Sequence, residues 1–91
     1  SAGMKPKKVN YSPTFFKSLR KLPKSQLKFL EKQEKIFMKD IFDPRLKTHK
    51  LKGKFSDFYS FSISYHWRII FHLEGNDTIV LDNIGTHEIY K

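Results

Sequence analysis

Four histidines, a lone strand arginine and a tyrosine near the C-terminus are the side chains best equipped for chemistry. They are His49, His66, His72, His87, Arg68 and Tyr90. Cleaving an RNA phosphodiester without a metal asks for three things. One group draws the proton from a 2′-hydroxyl, another protonates the departing 5′-oxygen, and a cation holds the phosphoryl oxygens as charge builds. Imidazole suits either proton transfer, because its reference pKa is about 6.5. Guanidinium suits the third task, since its planar fork matches phosphate oxygens and stays charged.

His87 follows Gly85-Thr86 just past the last expected strand, where regular structure breaks and functional side chains often sit. Arg68 is the only arginine of the second half and has almost wholly apolar neighbours. A permanent charge there is costly unless paired or functional, and Asp82 is the available structural partner. His49 lies in a basic connector with Lys47, Lys50, Lys52 and Lys54, which suit RNA-backbone contacts. His66 precedes Trp67, a residue that either anchors a core or stacks on a base. His72 has no supporting feature. No spacing of His, Cys and carboxylates suggests a metal site, and no glycine-rich phosphate loop is present; no cofactor is expected.

The chain has 91 residues and carries a net charge of +9. A chain of this length forms one domain with one core. Ser1, Ala2 and Gly3 ahead of Met4 read as a cloning scar, leaving residues 4–91 as the domain. The charge is uneven: residues 1–56 hold 16 Lys/Arg against 4 Asp/Glu, and residues 57–91 hold 2 against 5. A basic front half points first to nucleic acid and then to an acidic protein. The absence of cysteine, of a long apolar run and of a signal peptide makes a cytoplasmic protein without membrane contact the expectation.

These groups must be positioned by a handful of elements. Val9 to Tyr11 reads as a first strand, and Ser12-Pro13 as a helix start. Phe15, Leu19 and Leu22 give that helix an apolar face before Pro23 ends it. Lys24 to Asp40 reads as a longer helix with Leu27, Leu30, Phe37 and Ile41 along one side, interrupted by Glu34. Lys28, Lys32, Lys35 and Lys39 form a second stripe, favoured as a solvated face. From Tyr59 the period becomes two: Tyr59, Phe61, Ile63 and Tyr65 alternate with Ser60, Ser62 and Ser64. Trp67 to Leu73 and Thr78 to Ile84 complete a meander, joined by turn chemistry at Glu74-Gly75-Asn76-Asp77. The order β-α-α-β-β-β predicts an α+β fold, with a helical hairpin on one face of a twisted antiparallel sheet. The other face is left for a ligand.

The ordered set of segments resembles the RelE/ParE superfamily of type II toxins, particularly its YafQ and YoeB relatives. Residues 43–53, beginning Asp43-Pro44-Arg45-Leu46, look like the family's linker before the sheet. Tyr59-Ser60-Phe61-Ser62-Ile63 and Trp67-Arg68-Ile69-Ile70-Phe71 look like its central strands, and Ile84-Gly85-Thr86-His87-Glu88-Ile89-Tyr90 like its ending. The resemblance implies a microbial-ribonuclease-like fold, metal-independent mRNA cleavage by 2′-hydroxyl attack, ribosome dependence, and a cognate antitoxin as partner. It implies that Arg68 stabilises the scissile phosphate and that His87 transfers a proton. His49 matches the linker histidine of the YafQ-like branch and Trp67 its tryptophan, while Tyr90 falls near the C-terminal aromatic. The chain departs from those relatives at His66, where an acid is usual, at Ser62, where a histidine is, and at Asn83, where an arginine is.

The expectation is therefore a toxin that acts as an endoribonuclease: His87 as general acid, His49 or His66 as base, and Arg68 on the phosphate. Two rivals share the fold. One is a ParE-like gyrase inhibitor; the other is a non-catalytic RNA- or ribosome-binding module.

Overall fold

The computed structural model describes residues 3–91. Ser1 and Ala2 of the expected scar lie outside the described residues. Strand β1 (Lys8–Tyr11) leads into helix α1 (Pro13–Leu19), and a 3-10 turn at Lys24–Gln26 leads into α2 (Leu27–Lys39). After a linker come β2 (His49–Lys50), β3 (Tyr59–Ser62), β4 (Arg68–Glu74) and β5 (Thr78–Gly85), then a 3-10 turn at His87–Tyr90. The expected α+β order holds, with one added strand: β2, inside the stretch read as a connector, pairs with β3.

The sheet has five strands in the order β1-β5-β4-β3-β2. It is mixed rather than antiparallel, because β1 pairs in parallel with β5. The two helices carry the chain from β1 across to the far edge, and the meander returns β5 alongside β1. Alternation within a strand reports which side faces the core but not which way a distant neighbour runs.

Local chemistry sets the helices. Ser12 caps α1 by accepting from the Phe15 amide at 3.0 Å, and its hydroxyl donates to the Asp82 carbonyl at 2.7 Å, tying the cap to β5. Along α2 the buried residues are Leu30, Gln33, Ile36 and Phe37. Leu27, expected inside, is 47% exposed. Gln33 takes an inner position and donates to the Ser62 carbonyl at 2.8 Å and the Arg45 carbonyl at 3.2 Å. A buried amide is tolerable when its donors are used.

The core is aromatic. Phe15, Phe37, Phe61 and Phe71 are fully buried, with Phe37 stacked on Phe61 at 4.5 Å and edge-on to Phe71 at 5.2 Å. Strand β3 ends at Ser62, earlier than the alternation suggests, because the Ile63 and Ser64 amides both turn back to the Trp67 carbonyl at 2.9 and 3.3 Å. Tyr65, expected on the core side, stands 86% exposed on that turn. Ser60 and Ser62, expected on a hydroxylated outer face, are buried. The face away from the core is thus open at its end rather than throughout.

Between β4 and β5 the register shifts at Ile70/Phe71, so Ile70 faces Asn83 while Phe71 faces Leu81. Asp82 is the extra residue of a β-bulge. The shift returns Ile84 to the core beside Ile79 and Leu81, which explains the apolar spacing of two and then three along β5.

Phe37→Ala is expected to cost about 3–5 kcal/mol through the cavity left beside Phe61 and Phe71. Leu27→Ala is expected to stay within about 0.5 kcal/mol, as for other surface changes. Denaturant unfolding of both variants checks this, and equal losses would contradict the burial pattern.

Candidate nucleic-acid cleavage site

The end of the sheet is built from three paired residues. Arg68 opens β4, Ser62 closes β3 opposite it, and Gly85 closes β5 on its other side. Directly paired residues project on the same face, so Arg68 emerges away from the aromatic core. Its guanidinium donates to the Ser62 hydroxyl and, at 3.5 Å, to the Tyr65 carbonyl. Both acceptors are neutral. Among the described residues no carboxylate pairs with Arg68, and the ion pair with Asp82 expected as an alternative does not form. Asp82 is taken by His72, whose Nδ1 lies 2.6 Å from its carboxylate.

Beyond Gly85 the chain folds into the final 3-10 turn. Ile89 packs so closely on Gly85 that a Cβ there would sit 2.5 Å from the Ile89 Cγ2. That contact holds His87 and Tyr90 against the sheet end. The result is a cleft of about 350 Å³ lined by Tyr65, His66, Arg68, His87 and Tyr90. His66 and His87 are exposed and Arg68 and Tyr90 half-buried. A second cleft of about 330 Å³ shares Tyr65 and Arg68 and continues past Ser62 to Lys47, Gln33 and Arg45.

The expected site residues divide between these and other surfaces. Arg68, His66, His87 and Tyr90 come together. His49 does not join them: it pairs with Ser60, one row back and two strands from Arg68, and its Nδ1 lies 3.0 Å from the Lys47 carbonyl. Of the four connector lysines only Lys47 lines a cleft with Arg68. Lys50 lines a separate groove with His72 and Phe58, and Lys54 sits 5.4 Å over the Phe55 ring. Lys52 is exposed and borders none of these clefts. Trp67 is half-buried and packs on the core, which anchors the β3–β4 turn. Tyr65 is the aromatic common to both clefts, and its ring meets that of His66 edge-on at 4.6 Å.

The residue-type reading missed Tyr65, Gln33 and Arg45. Arg45 is clamped by Asp43, which accepts from its Nε at 3.0 Å and Nη2 at 2.8 Å and from its amide at 2.9 Å. These bonds hold the Asp43 carboxyl down at about 2. The signal was the Asp43-Pro44-Arg45 spacing, in which a capping aspartate stands two residues before an arginine.

His72 also acquires a defined setting. Burial works against its charged form, but hydrogen bonds to Asp82 and Glu74 and their negative charge outweigh it, so its pKa is raised. Burial pushes the Asp82 carboxyl up as well, against the opposing pull of His72. The group lies in a different groove from His66 and His87, so it bears on stability rather than on the cleft.

A family model described as a bacterial toxin of type II toxin–antitoxin system, YafQ, matches residues 7–90. No curated protein sequence matches the chain. Among solved structures, a copper-bound mutant toxin from Helicobacter pylori is 26% identical, with a TM-score of 0.67, covering 92% of this chain and 98% of that one. YafQ from E. coli is 19% identical with a TM-score of 0.66, covering 91% and 97%. The toxin–antitoxin complex RelBE2 from Mycobacterium tuberculosis contains a chain 17% identical with a TM-score of 0.74, covering 94% and 97%.

A raised histidine pKa stabilises the fold fully below the unfolded value of about 6.5 and loses that contribution as pH climbs through the folded value. Stability should therefore fall from pH 6 toward pH 9, and Asp82→Asn should flatten the fall. The raised Asp82 pKa, a result of burial, acts in the same direction. Thermal unfolding across that pH series is the check; an unchanged slope in the variant would remove the His72–Asp82 pair as its source.

Proposed function

This chain belongs to the YafQ family of bacterial toxins from type II toxin–antitoxin systems, and from that premise we propose that it is a metal-independent endoribonuclease acting on mRNA at the ribosome. The observation that carries the reading is an arginine with no carboxylate partner sharing one cleft with two histidines. A cation held by neutral oxygens keeps its full charge for a phosphate.

In the proposed reaction His66 takes the proton of a 2′-hydroxyl, whose oxygen attacks the adjacent phosphorus. The P–O5′ bond breaks, and His87 protonates the leaving oxygen. The products are a 2′,3′-cyclic phosphate and a free 5′-hydroxyl, with no net redox change. Arg68 bears on the phosphoryl oxygens as negative charge accumulates. Tyr65 offers a ring on which a neighbouring base can stack, and Lys47 offers a phosphate contact. His49, the other base considered, borders neither cleft, which supports His66 for that role. Tyr90 walls the cleft beside His87.

The proposed protein partner is a cognate antitoxin. The M. tuberculosis RelBE2 structure is a toxin–antitoxin complex containing a chain of this fold. The net charge of +9 suits an acidic partner as well as RNA.

Arg68→Ala and His87→Ala should each lower cleavage by about 10²–10⁴-fold, with folding and antitoxin binding retained. Arg68→Lys should recover little, since an ammonium lacks the planar fork. Mapping new 5′ ends on mRNA after induction, with and without a chelator, reads this directly. Undiminished cleavage in both alanine variants would remove these residues from the mechanism. DNA damage without new 5′ ends would favour gyrase inhibition. RNA bound but intact would favour a non-catalytic binding module.

Gly85→Ala should lower cleavage while leaving most of the fold intact, because the added methyl group displaces Ile89 and with it the turn bearing His87 and Tyr90. Comparing turnover with the unfolding midpoint separates this from global destabilisation.

A further inference from the structure

The lysine stripe of α2 is not a uniform solvated face. Lys28, Lys32 and Lys35 line a groove of about 460 Å³ together with Arg45, Glu31 and Ile36. Arg45 lines this groove and also the cleft that reaches Arg68. The two depressions therefore share Arg45, whose side chain the Asp43 clamp holds in place. From Lys28 to Lys35 the helix rises roughly 10 Å, so these cations are set out in a row along the groove.

We propose that this groove is a second RNA-binding segment, holding the phosphates of the same single strand whose scissile bond lies at Arg68. The inference rests on the nuclease reading above and extends the RNA-contacting surface beyond the catalytic cleft. Two of the four lining cations, Lys28 and Lys32, have no carboxylate partner among the described residues, while Arg45 is paired with Asp43. The unpaired charges favour a polyanion, and concave walls focus the field. Lys35 is engaged by Glu31 at 3.2 Å, which leaves Lys28 and Lys32 as the freer contacts. The Lys28 ammonium lies 5.2 Å over Phe29, a 39% exposed ring that gives a base a surface to stack on. An acidic protein helix fits less well. Helix-in-groove recognition relies on a run of apolar anchors, and Ile36 is the single apolar residue lining this groove.

The test uses the intact chain and RNA carrying 2′-O-methyl groups, which lacks the nucleophile and stays uncut. A trinucleotide, a single-stranded dodecamer, a duplex and a polyglutamate peptide are titrated over a salt series. The dodecamer is expected to bind at least about tenfold tighter than the trinucleotide, with a steeper salt dependence. Each phosphate neutralised on a single strand contributes about 0.7 to that slope. Lys28→Glu with Lys32→Glu should remove most of the length advantage and about 1.4 of the slope, while trinucleotide binding persists. Lys17→Glu with Lys21→Glu, an equal charge change on and just after α1, should preserve the advantage.

A length advantage surviving the α2 substitutions would overturn the proposal. So would an equal loss in the α1 control, since that means only a diffuse field is at work. Duplex or polyglutamate binding as tight as the dodecamer would overturn it too, the latter in favour of a protein partner. Failure of both RNAs to bind would instead strike the nuclease reading itself, and this inference with it.

Discussion

The site depends on how one positive charge is held at the end of a β-sheet. Arg68 leaves the apolar interior of β4 and is steadied by a hydroxyl and a backbone carbonyl rather than by a carboxylate. Had Asp82 reached it, the guanidinium would be neutralised in place and its attraction for phosphate much weakened. The bulge keeps them apart. By inserting Asp82 as an extra residue, it brings that carboxylate to His72 and leaves Arg68 opposite Gly85, which has no side chain to interfere. The same insertion returns Ile84 to the core, so packing and charge placement follow from a single irregularity.

Much of this was legible in the sequence because it is local. Ser12-Pro13 marks a helix start by capping chemistry, and an arginine in an apolar strand is conspicuous for its solvation cost. Gly85-Thr86-His87 marks a strand end. What escaped was non-local. The parallel pairing of β1 with β5 leaves no trace in either segment's alternation. Tyr65 kept the period of β3 in sequence but fell beyond the strand's true end, where two amides bond one carbonyl. Gln33 entered the core because Ser62 and Arg45 supply carbonyls from distant segments. His49 and Lys50 looked equivalent as members of a basic connector. Pairing with β3 sends neighbouring residues to opposite faces, which separates what composition had grouped.

The basic half of the chain and the chemistry-bearing half are different stretches of sequence, and the fold joins them along one seam. Helix α2 and the linker supply the cations; strands β3 to β5 and the last turn supply Arg68 and the histidines. Gln33 bridges the seam, bonding at once to the strand that ends beside Arg68 and to the linker that carries Arg45. Loss of that amide would leave the buried Ser62 carbonyl short of this donor, a cost of about 1–3 kcal/mol. Gln33 is therefore a positioning residue by virtue of its core contacts, though it touches no charge.

The final turn sets the opposite extreme of stability. His87 and Tyr90 ride on four residues of 3-10 helix, an element with few bonds of its own and therefore among the first to open locally. Its register on the sheet comes from Ile89 closing over Gly85, a contact available only where a glycine leaves room. Arg68 is positioned by the sheet, whereas His87 is positioned by a small apolar contact, Ile89 on Gly85. In the proposed reaction, charge stabilisation and proton transfer would thus draw on differently supported parts of the fold. A ligand that bridged Arg68 and His87 would tie the turn to the sheet end in addition to the Ile89–Gly85 contact.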